Sequence, residues 1–224
     1  MKLILCSKGI ETKGVVEKAV ELVGKPASEI SAAFILEADA KSDDDKRWQI
    51  ECMYNVANTF GGTIKIVNLL ALDGIEEIEQ RLRSCDIIYC LGGSPHYLRT
   101  VFDKVGLGAR LLGILEEVVW IGNSAGSMIL GKRCPYRESV SREKFDTYGV
   151  EKFYRIIDCH ISPHINCDDD PKHALETAIE ESKLHQSPVY ALSDDGALVV
   201  DGDKTYMIGK DCWKIENGKI VDSI

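Results

Sequence analysis

A serine between two glycines, Ser124 in the stretch IGNSAGSMIL, is the residue of this sequence best suited to nucleophilic chemistry. Gly122 and Gly126 permit a sharp turn after a buried strand, because neighbouring backbone segments can approach them without Cβ clashes. Such a turn exposes the serine hydroxyl and leaves the Ala125 N–H at a helix N-terminus, where a developing oxyanion would be stabilised. The pattern predicts a nucleophile. The alternative is a serine that merely caps the helix 125–130.

A glycine pair one strand earlier, Gly92 and Gly93 in YCLGGSPHYL, repeats the order of apolar strand, glycine and helix. Such a pair exposes backbone N–H groups, and a neighbouring strand end is where a second oxyanion donor must come from. Ser94 and Pro95 have the residue types of a helix N-cap and first helical position. An ordinary tight turn between strand and helix is the alternative interpretation.

A serine hydroxyl needs a general base, for which the chain offers five histidines: His96, His160, His164, His173 and His185. The last two lie on an amphipathic stretch and fit solvated helix positions, whereas His160 lies inside an apolar run and fits a buried histidine. His164 follows directly after that run. It is therefore predicted at a strand end, on the same sheet edge as Ser124, and is the preferred base.

Short apolar runs alternate with amphipathic segments along the chain, and this alternation must position the serine and the histidine. The apolar runs, which are typical of strands buried on both faces, are 3–6, 32–36, 64–69, 86–91, 118–122, 155–161 and 189–192. The order predicts an α/β fold with three α/β/α layers and a mostly parallel central sheet. Hairpin signals from residue 196 onward predict a C-terminal antiparallel hairpin extension, within a single domain over 1–224.

Bulk composition argues against several other classes of protein. The net charge of −9 and the pI near 5.1 would repel nucleic acid and anionic lipid, and no apolar run has the length of a membrane span. A cytoplasmic protein is expected. The eight cysteines form no C-x-x-C pair, which disfavours a zinc knuckle and indicates reduced thiols. The polar interval 132–154 is predicted to be a long surface excursion.

Three segments together resemble the dipeptidase E family of serine peptidases, relatives of cyanophycinase with a class I glutamine amidotransferase-like fold. IGNSAGS is similar to the family's nucleophile turn, CLGGSPHYL to its glycine-rich segment and ISPHIN to the stretch with its catalytic histidine. Order and spacing agree over nearly the whole chain. The resemblance implies Ser124 as nucleophile, His164 as base, and oxyanion donors from the backbone of Gly93 and Ala125, with no metal or organic cofactor.

The sequence departs from the family pattern in two places. The third catalytic residue of the family is an acid some fifteen residues after the serine, where this chain has Glu138 as the nearest candidate and Asp146 as a weaker one. The acid matters because it fixes the tautomer of the imidazole. Ser94, Pro95 and His96 also replace the family's Asn-Thr-Phe, which implies an altered substrate pocket that includes Gly92, Ser94 and His96.

The resemblance implies a small peptide substrate with an N-terminal aspartate. An acidic substrate would need a cationic partner, for which Arg99, Arg133 and Arg137 are candidates, Arg137 being the preferred one. The main hypothesis is a serine peptidase, monomeric or homodimeric, without a nucleic acid or membrane partner. The alternative is a catalytically inactive relative that binds a small acidic peptide or metabolite. A related hydrolase with a cysteine nucleophile is disfavoured by the serine at the turn.

Overall fold

A computed structural model of the chain describes residues 1–40, 43–133, 152–168 and 173–224. The strands are β1 (Lys2–Cys6), β2 (Ala32–Ile35), β3 (Ile64–Ile66), β4 (Ile87–Cys90), β5 (Val119–Asn123), β6 (His160–Ser162), β7 (Val189–Leu192), β8 (Gly196–Asp201), β9 (Lys204–Gly209), β10 (Cys212–Glu216) and β11 (Lys219–Ser223). The α-helices are α1 (Val15–Val23), α2 (Arg47–Thr59), α3 (Ile75–Arg83), α4 (Pro95–Lys104), α5 (Leu107–Leu115), α6 (Ala125–Met128) and α7 (Leu175–His185). Every predicted apolar run overlaps a strand, but the run 155–161 shares only its last two residues with β6.

The main sheet has seven strands in the order β3-β2-β4-β5-β1-β8-β9. The first five are parallel, whereas β8 runs antiparallel to β1 and β9 antiparallel to β8. The predicted mostly parallel sheet and its antiparallel extension are therefore confirmed. The carboxyl ends of β4, β5 and β1 lie side by side, which brings the turns after these strands to one edge of the sheet.

Alternate residues of each central strand face two different apolar layers. In β1, Leu3 and Leu5 pack with α3, α4 and α5, and Ile4 and Cys6 pack on the opposite face with α1 and α2. Strands covered by helices on both faces need apolar residues at every position, which explains the uninterrupted runs in the sequence. This packing gives the three predicted α/β/α layers.

A second sheet of four strands, in the order β11-β10-β7-β6, departs from the simple arrangement expected from the sequence. The strands β6 and β7 are parallel to each other but belong to this sheet and not to the main one, and β10 pairs antiparallel with β7. A buried apolar run has the same pattern in either sheet, so periodicity alone does not assign it. The C-terminal strands thus divide between two sheets, β8 and β9 extending the first, β10 and β11 completing the second.

The remaining predictions about class concern membranes and thiols. Across the ranges that the structure describes, no helix combines the length and the apolarity needed to cross a bilayer. The seven cysteines in those ranges are free, and six of them are buried. The eighth, Cys134, lies outside the described residues, as does most of the predicted surface excursion 132–154.

Candidate active site

The turn between β5 and α6 holds Ser124 in an unusual backbone conformation, with φ of 48° and ψ of −105°. A positive φ is uncommon for residues other than glycine, and such strain concentrates at functional sites. The Ser124 N–H donates to the Cys6 carbonyl at 2.8 Å, which ties the turn to the end of β1. Its hydroxyl makes no capping hydrogen bond to α6. The side chain is therefore available for chemistry, unlike that of a serine that only caps a helix.

Close backbone contacts explain why both positions that flank the serine turn require glycine. A Cβ atom on Gly126 would lie 2.1 Å from the Cys90 carbonyl oxygen, and one on Gly122 would lie 2.6 Å from the Gly126 carbonyl oxygen. Both distances are far inside van der Waals contact. The glycines thus allow α6 to start directly against β4 and β5, which is what forces the sharp turn at Ser124.

Replacing Gly126 by alanine is expected to lower the free energy of unfolding by at least about 2 kcal/mol, because backbone atoms cannot move aside as a flexible side chain can. Urea unfolding followed by circular dichroism measures the change. Gly113 on α5 is the matched control, since a Cβ there meets only the end of the Arg83 side chain, at 3.4 Å. Gly113→Ala should be neutral or slightly stabilising. Equal destabilisation by both substitutions would contradict the steric explanation.

Two side chains brace the turn from behind. The Ser127 hydroxyl accepts a hydrogen bond from the Cys6 N–H at 2.9 Å and lies 2.7 Å from the Gly122 carbonyl oxygen. The Trp120 indole N–H donates to the Gly126 carbonyl at 3.0 Å. Ser127 and Trp120 are fully buried, so these bonds are protected from water. The turn is consequently held rigid, which suits a preorganised catalytic group.

The backbone amides of Gly93 and Ala125, which the family resemblance implies as oxyanion donors, belong to the two turns next to the serine side chain. A Cβ on Gly92 would contact the Ser124 Cβ at 3.2 Å, so the glycine pair abuts the serine. Gly93 has a φ of 136°, and a Cβ there would lie 2.6 Å from the Ala38 carbonyl carbon, so the turn requires glycine. Within the described residues, neither the Gly93 nor the Ala125 amide donates to another protein group. Two unused donors therefore flank the serine.

His164 follows β6 and is held at the edge of the main sheet by its backbone. Its N–H donates to the Ser7 hydroxyl at 3.0 Å, and that hydroxyl donates to the Leu192 carbonyl at 3.1 Å. Ser7 comes directly after β1, and Leu192 ends β7. Ser7 thus joins the two sheets next to His164. The prediction that His164 follows a strand of the same sheet as Ser124 is wrong, because β6 belongs to the second sheet, although both residues line one cavity.

Asp194 is the carboxylate that contacts the imidazole of His164. The Nδ1 atom of His164 lies 2.7 Å from Asp194 Oδ1, and the other carboxylate oxygen lies 3.1 Å from Lys8 Nζ. The hydrogen bond with His164, together with Lys8, lowers the pKa of the Asp194 carboxyl below its usual value. An ionised carboxylate at Nδ1 keeps the proton on that nitrogen, which leaves Nε2 as the basic atom.

Asp194 was not among the residues singled out from the sequence. It lies in the turn between β7 and β8, thirty residues after His164, and its carbonyl accepts a hydrogen bond from the Thr12 hydroxyl at 3.0 Å. The only local signal was the hairpin-type sequence SDDG. Glu138 and Asp146, the acids suggested by the family pattern, lie outside the described residues, as does Arg137.

Ser124 and His164 line the same cavity, which has a volume of about 330 Å³. Gly92 and Gly93 contribute to its wall. No hydrogen bond joins the Ser124 hydroxyl to His164 in the part of the chain that the structure describes. Catalytic hydrogen bonds in enzymes without substrate are often long and tighten only when substrate binds. The arrangement therefore has the parts of a nucleophile and base pair in one open pocket.

The cavity is also lined by charged side chains that were not predicted from the sequence. Glu11, Glu51 and Lys8 line it together with Trp48, whose side chain is partly exposed. Glu11 accepts a hydrogen bond from the Asn55 amide at 3.2 Å. The lining thus offers two carboxylates to a cationic group of a ligand, and to an anionic group it offers the ammonium of Lys8, which also pairs with Asp194 at 3.1 Å.

Other predicted substrate contacts lie elsewhere. The Ser94 hydroxyl caps α4 by accepting from the Tyr97 N–H at 3.2 Å, and the His96 ring packs against Phe153 with ring centroids 5.7 Å apart. Neither lines the cavity. Arg99 pairs with Asp103 at 2.7 Å, also away from it. The expected roles of Ser94 and His96 in substrate binding therefore have no support from the described residues.

His160, which was not selected as the base, is buried in the structure. His160 is 1% exposed, and burial lowers its pKa to about 4. Its Nδ1 lies 3.2 Å from the Arg133 carbonyl oxygen. A histidine that stays neutral at physiological pH and bonds to the backbone is a structural residue, as its apolar surroundings in the sequence indicated.

Known proteins resemble this chain in both sequence and fold. The family model for peptidase family S51 matches residues 3–208. The uncharacterized peptidase Lmo0363 of Listeria monocytogenes is 26% identical over 138 residues, which are 59% of this chain and 65% of that relative. The chain thus matches just under two thirds of the length of this curated relative.

Two crystal structures share the fold. A structure described as a peptidase E protein from Listeria monocytogenes EGD-e has a TM-score of 0.75 at 20% identity, over 94% of this chain and 98% of the other. A peptidase from an acI-B1 Actinobacterium has a TM-score of 0.70 at 20% identity, over 96% and 91% of the two chains. The family match covers nearly the whole chain and includes the serine turn and the histidine. The chain belongs to peptidase family S51.

Proposed function

We propose that this protein is a serine peptidase that hydrolyses short peptides, with Ser124 as nucleophile, His164 as general base and Asp194 as the acid that orients the base. The observation that carries the proposal is the 2.7 Å contact between His164 Nδ1 and Asp194 Oδ1. This contact lies beside a cavity that is also lined by Ser124, whose backbone has a positive φ and whose hydroxyl does not cap the following helix. If His164 had only a structural role, an ionised carboxylate at its Nδ1 atom beside an open pocket would serve no purpose.

In the proposed reaction, His164 Nε2 takes the proton from the Ser124 hydroxyl as the oxygen attacks the peptide carbonyl carbon. The negative charge that forms on the carbonyl oxygen is stabilised by the N–H groups of Gly93 and Ala125. Asp194 stabilises the imidazolium. His164 then gives its proton to the departing amine, and water, activated by the same nitrogen, hydrolyses the acyl-enzyme and regenerates the serine.

Asp194 is proposed as the orienting acid in preference to Glu138. The family pattern places an acid about fifteen residues after the serine, but the contact with His164 and the charge of Lys8 both favour Asp194 as the ionised partner. Glu138 is the alternative orienting acid, and it is suggested by the sequence alone. The choice between the two is open to direct experiment.

The charged wall of the cavity suggests how a small peptide binds. We propose that Glu11 and Glu51 accept the free α-ammonium group, and that Lys8 contacts the side-chain carboxylate of an N-terminal aspartate, in place of the predicted Arg137. A cavity of about 330 Å³ is at the small end of ligand sites, which favours a dipeptide or tripeptide over a protein substrate. The aspartate preference rests on the family resemblance and on Lys8.

Hydrolysis of a dipeptide panel tests this assignment. Asp-Leu should be cleaved, Asn-Leu should be cleaved at least about tenfold less efficiently, and N-acetyl-Asp-Leu should not be cleaved because its ammonium group is absent. Lys8→Met should raise KM for Asp-Leu and leave KM for Asn-Leu unchanged. A fluorophosphonate probe should label Ser124, as shown by mass spectrometry of the modified peptide. Absence of both labelling and cleavage would refute the peptidase proposal, and cleavage without an aspartate preference would refute only the substrate assignment.

A further inference from the structure

A cluster of side chains of the types that ligate metals lies next to the candidate catalytic histidine and takes no part in the proposed reaction. Cys167, Asp168 and His173 each offer one donor atom, and these three atoms lie within 4.8 Å of one another. Cys167 and Asp168 are exposed, which gives an ion access from solvent, whereas His173 is 8% exposed and held in place.

The distances in this cluster are close to those of a tetrahedral zinc site. Zinc bonds of about 2.3 Å to sulfur and about 2.05 Å to nitrogen at the tetrahedral angle put the two donors about 3.5 Å apart. Cys167 Sγ and His173 Nδ1 lie 3.6 Å apart. His173 Nδ1 and Asp168 Oδ1 are 2.8 Å apart because a hydrogen bond joins them. If a metal ion replaces the proton of this hydrogen bond, the distance between His173 Nδ1 and Asp168 Oδ1 has to increase by only about 0.6 Å.

The backbone keeps the three donors together. The Asn166 N–H donates to the His173 carbonyl at 2.8 Å, and the Cys167 N–H donates to the His164 carbonyl at 3.2 Å. These bonds tie the backbone beside Cys167 to that of His173 and His164, so two of the three ligands are held near each other before an ion enters. A thiolate, an imidazole and a carboxylate form a set that suits Zn²⁺ or Co²⁺ and disfavours Mg²⁺ and Ca²⁺.

We propose that Cys167, Asp168 and His173 bind a zinc-class divalent cation, and that the bound ion inhibits the peptidase. The inhibition follows from proximity. The sulfur of Cys167 also lies within 4.8 Å of the donor atoms of His164 and Asp194, and the His164 and His173 ring centroids are 5.5 Å apart. A dication held by Cys167 there attracts the Asp194 carboxylate away from the imidazole that this carboxylate orients. This second part rests on the proposed peptidase function, whereas the site itself does not.

Cobalt is the probe for binding, because a Co²⁺–thiolate bond gives a near-ultraviolet charge-transfer band. The band should appear at a 1:1 ratio in the reduced wild-type protein and equally in Ser124→Ala, which tests the site without catalysis. Cys167→Ala should abolish it, and His173→Gln should weaken binding at least about tenfold. His185→Gln is the matched control, since His185 contacts Glu181 at 2.9 Å in a separate cluster. A band that survives Cys167→Ala, or one lost only in His185→Gln, would overturn the site.

Zinc titration of dipeptide hydrolysis tests the inhibition. Zn²⁺ should inhibit the wild type, a chelator should restore the rate, and Cys167→Ala should show the wild-type rate without metal and at least about tenfold weaker inhibition. Equal inhibition of the two proteins would overturn the regulatory part. If no peptide is cleaved at all, the proposed function fails, and the cobalt measurement on its own still decides the metal site.

Discussion

Ser124→Ala is expected to lower kcat for Asp-Leu hydrolysis by roughly 10⁶-fold, the loss that removal of the nucleophile causes in a serine peptidase. Alanine loses the hydroxyl that attacks the carbonyl and keeps the Cβ atom. The backbone hydrogen bond from residue 124 to Cys6 remains, so the fold should persist. Release of leucine, measured by chromatography over long incubations, gives the rate, and circular dichroism checks the fold.

A double substitution tests whether Ser124 and His164 act together as nucleophile and base or contribute to the rate independently. Residues that act as one catalytic unit are strongly non-additive, so Ser124→Ala combined with His164→Ala should be no slower than Ser124→Ala alone. Ser127→Ala is an instructive comparison, because Ser127 is a buried serine of the same turn that only braces the backbone. Ser127→Ala should lower the free energy of unfolding, and it should lower kcat far less than Ser124→Ala does. If Ser124→Ala retains a tenth or more of the wild-type kcat, another group must attack the substrate.

Asp194→Asn is expected to lower kcat by about 10⁴-fold at neutral pH, as loss of the orienting carboxylate does in serine proteases. The asparagine amide can donate a hydrogen bond to Nδ1, which would then carry no proton, and Nε2 would be protonated and unable to act as a base. The effect should fall mainly on kcat, because Asp194 contacts the imidazole of His164 and does not itself line the cavity. Initial rates over a range of Asp-Leu concentrations separate kcat from KM.

Two control substitutions identify the acid. Asp195→Asn changes the neighbouring residue, which is exposed and pairs with Lys210 at 3.0 Å, and should leave kcat within a few-fold of the wild type. Glu138→Gln tests the acid that the family pattern favours. A loss of about 10⁴-fold in Glu138→Gln with little change in Asp194→Asn would return the orienting role to Glu138. Comparable large losses in both would mean that neither acid acts alone.

Lys8 links the orienting acid to the substrate pocket. Its ammonium group lies 3.1 Å from Asp194 and also lines the cavity. In the absence of substrate it supports the ionised form of Asp194, and an incoming carboxylate would compete for it. Lys8→Met should therefore change KM for acidic peptides more than it changes kcat, which distinguishes it from Asp194→Asn.

Local signals were sufficient to predict the elements around the serine. The helix α4 begins at Pro95 with Ser94 as its N-cap, as the residue types indicate, because both preferences are set by the backbone of one turn. The glycines around Ser124 were also interpretable, because their role is to permit contacts between chain segments that pack directly against each other. The position of His164 directly after an apolar run was also readable from the sequence, but the sheet to which that run belongs was not.

The sequence by itself therefore determined the α/β class, the serine turn, the glycine pair and the histidine, since each depends on residues close together in the chain. Only the tertiary structure decided which acid meets His164, and that β6 and β7 form a second sheet. Asp194 is one of 36 acidic residues, and no local pattern distinguishes it from the others. A carboxylate becomes a partner through distance and desolvation, and both are fixed by strands that are remote in sequence.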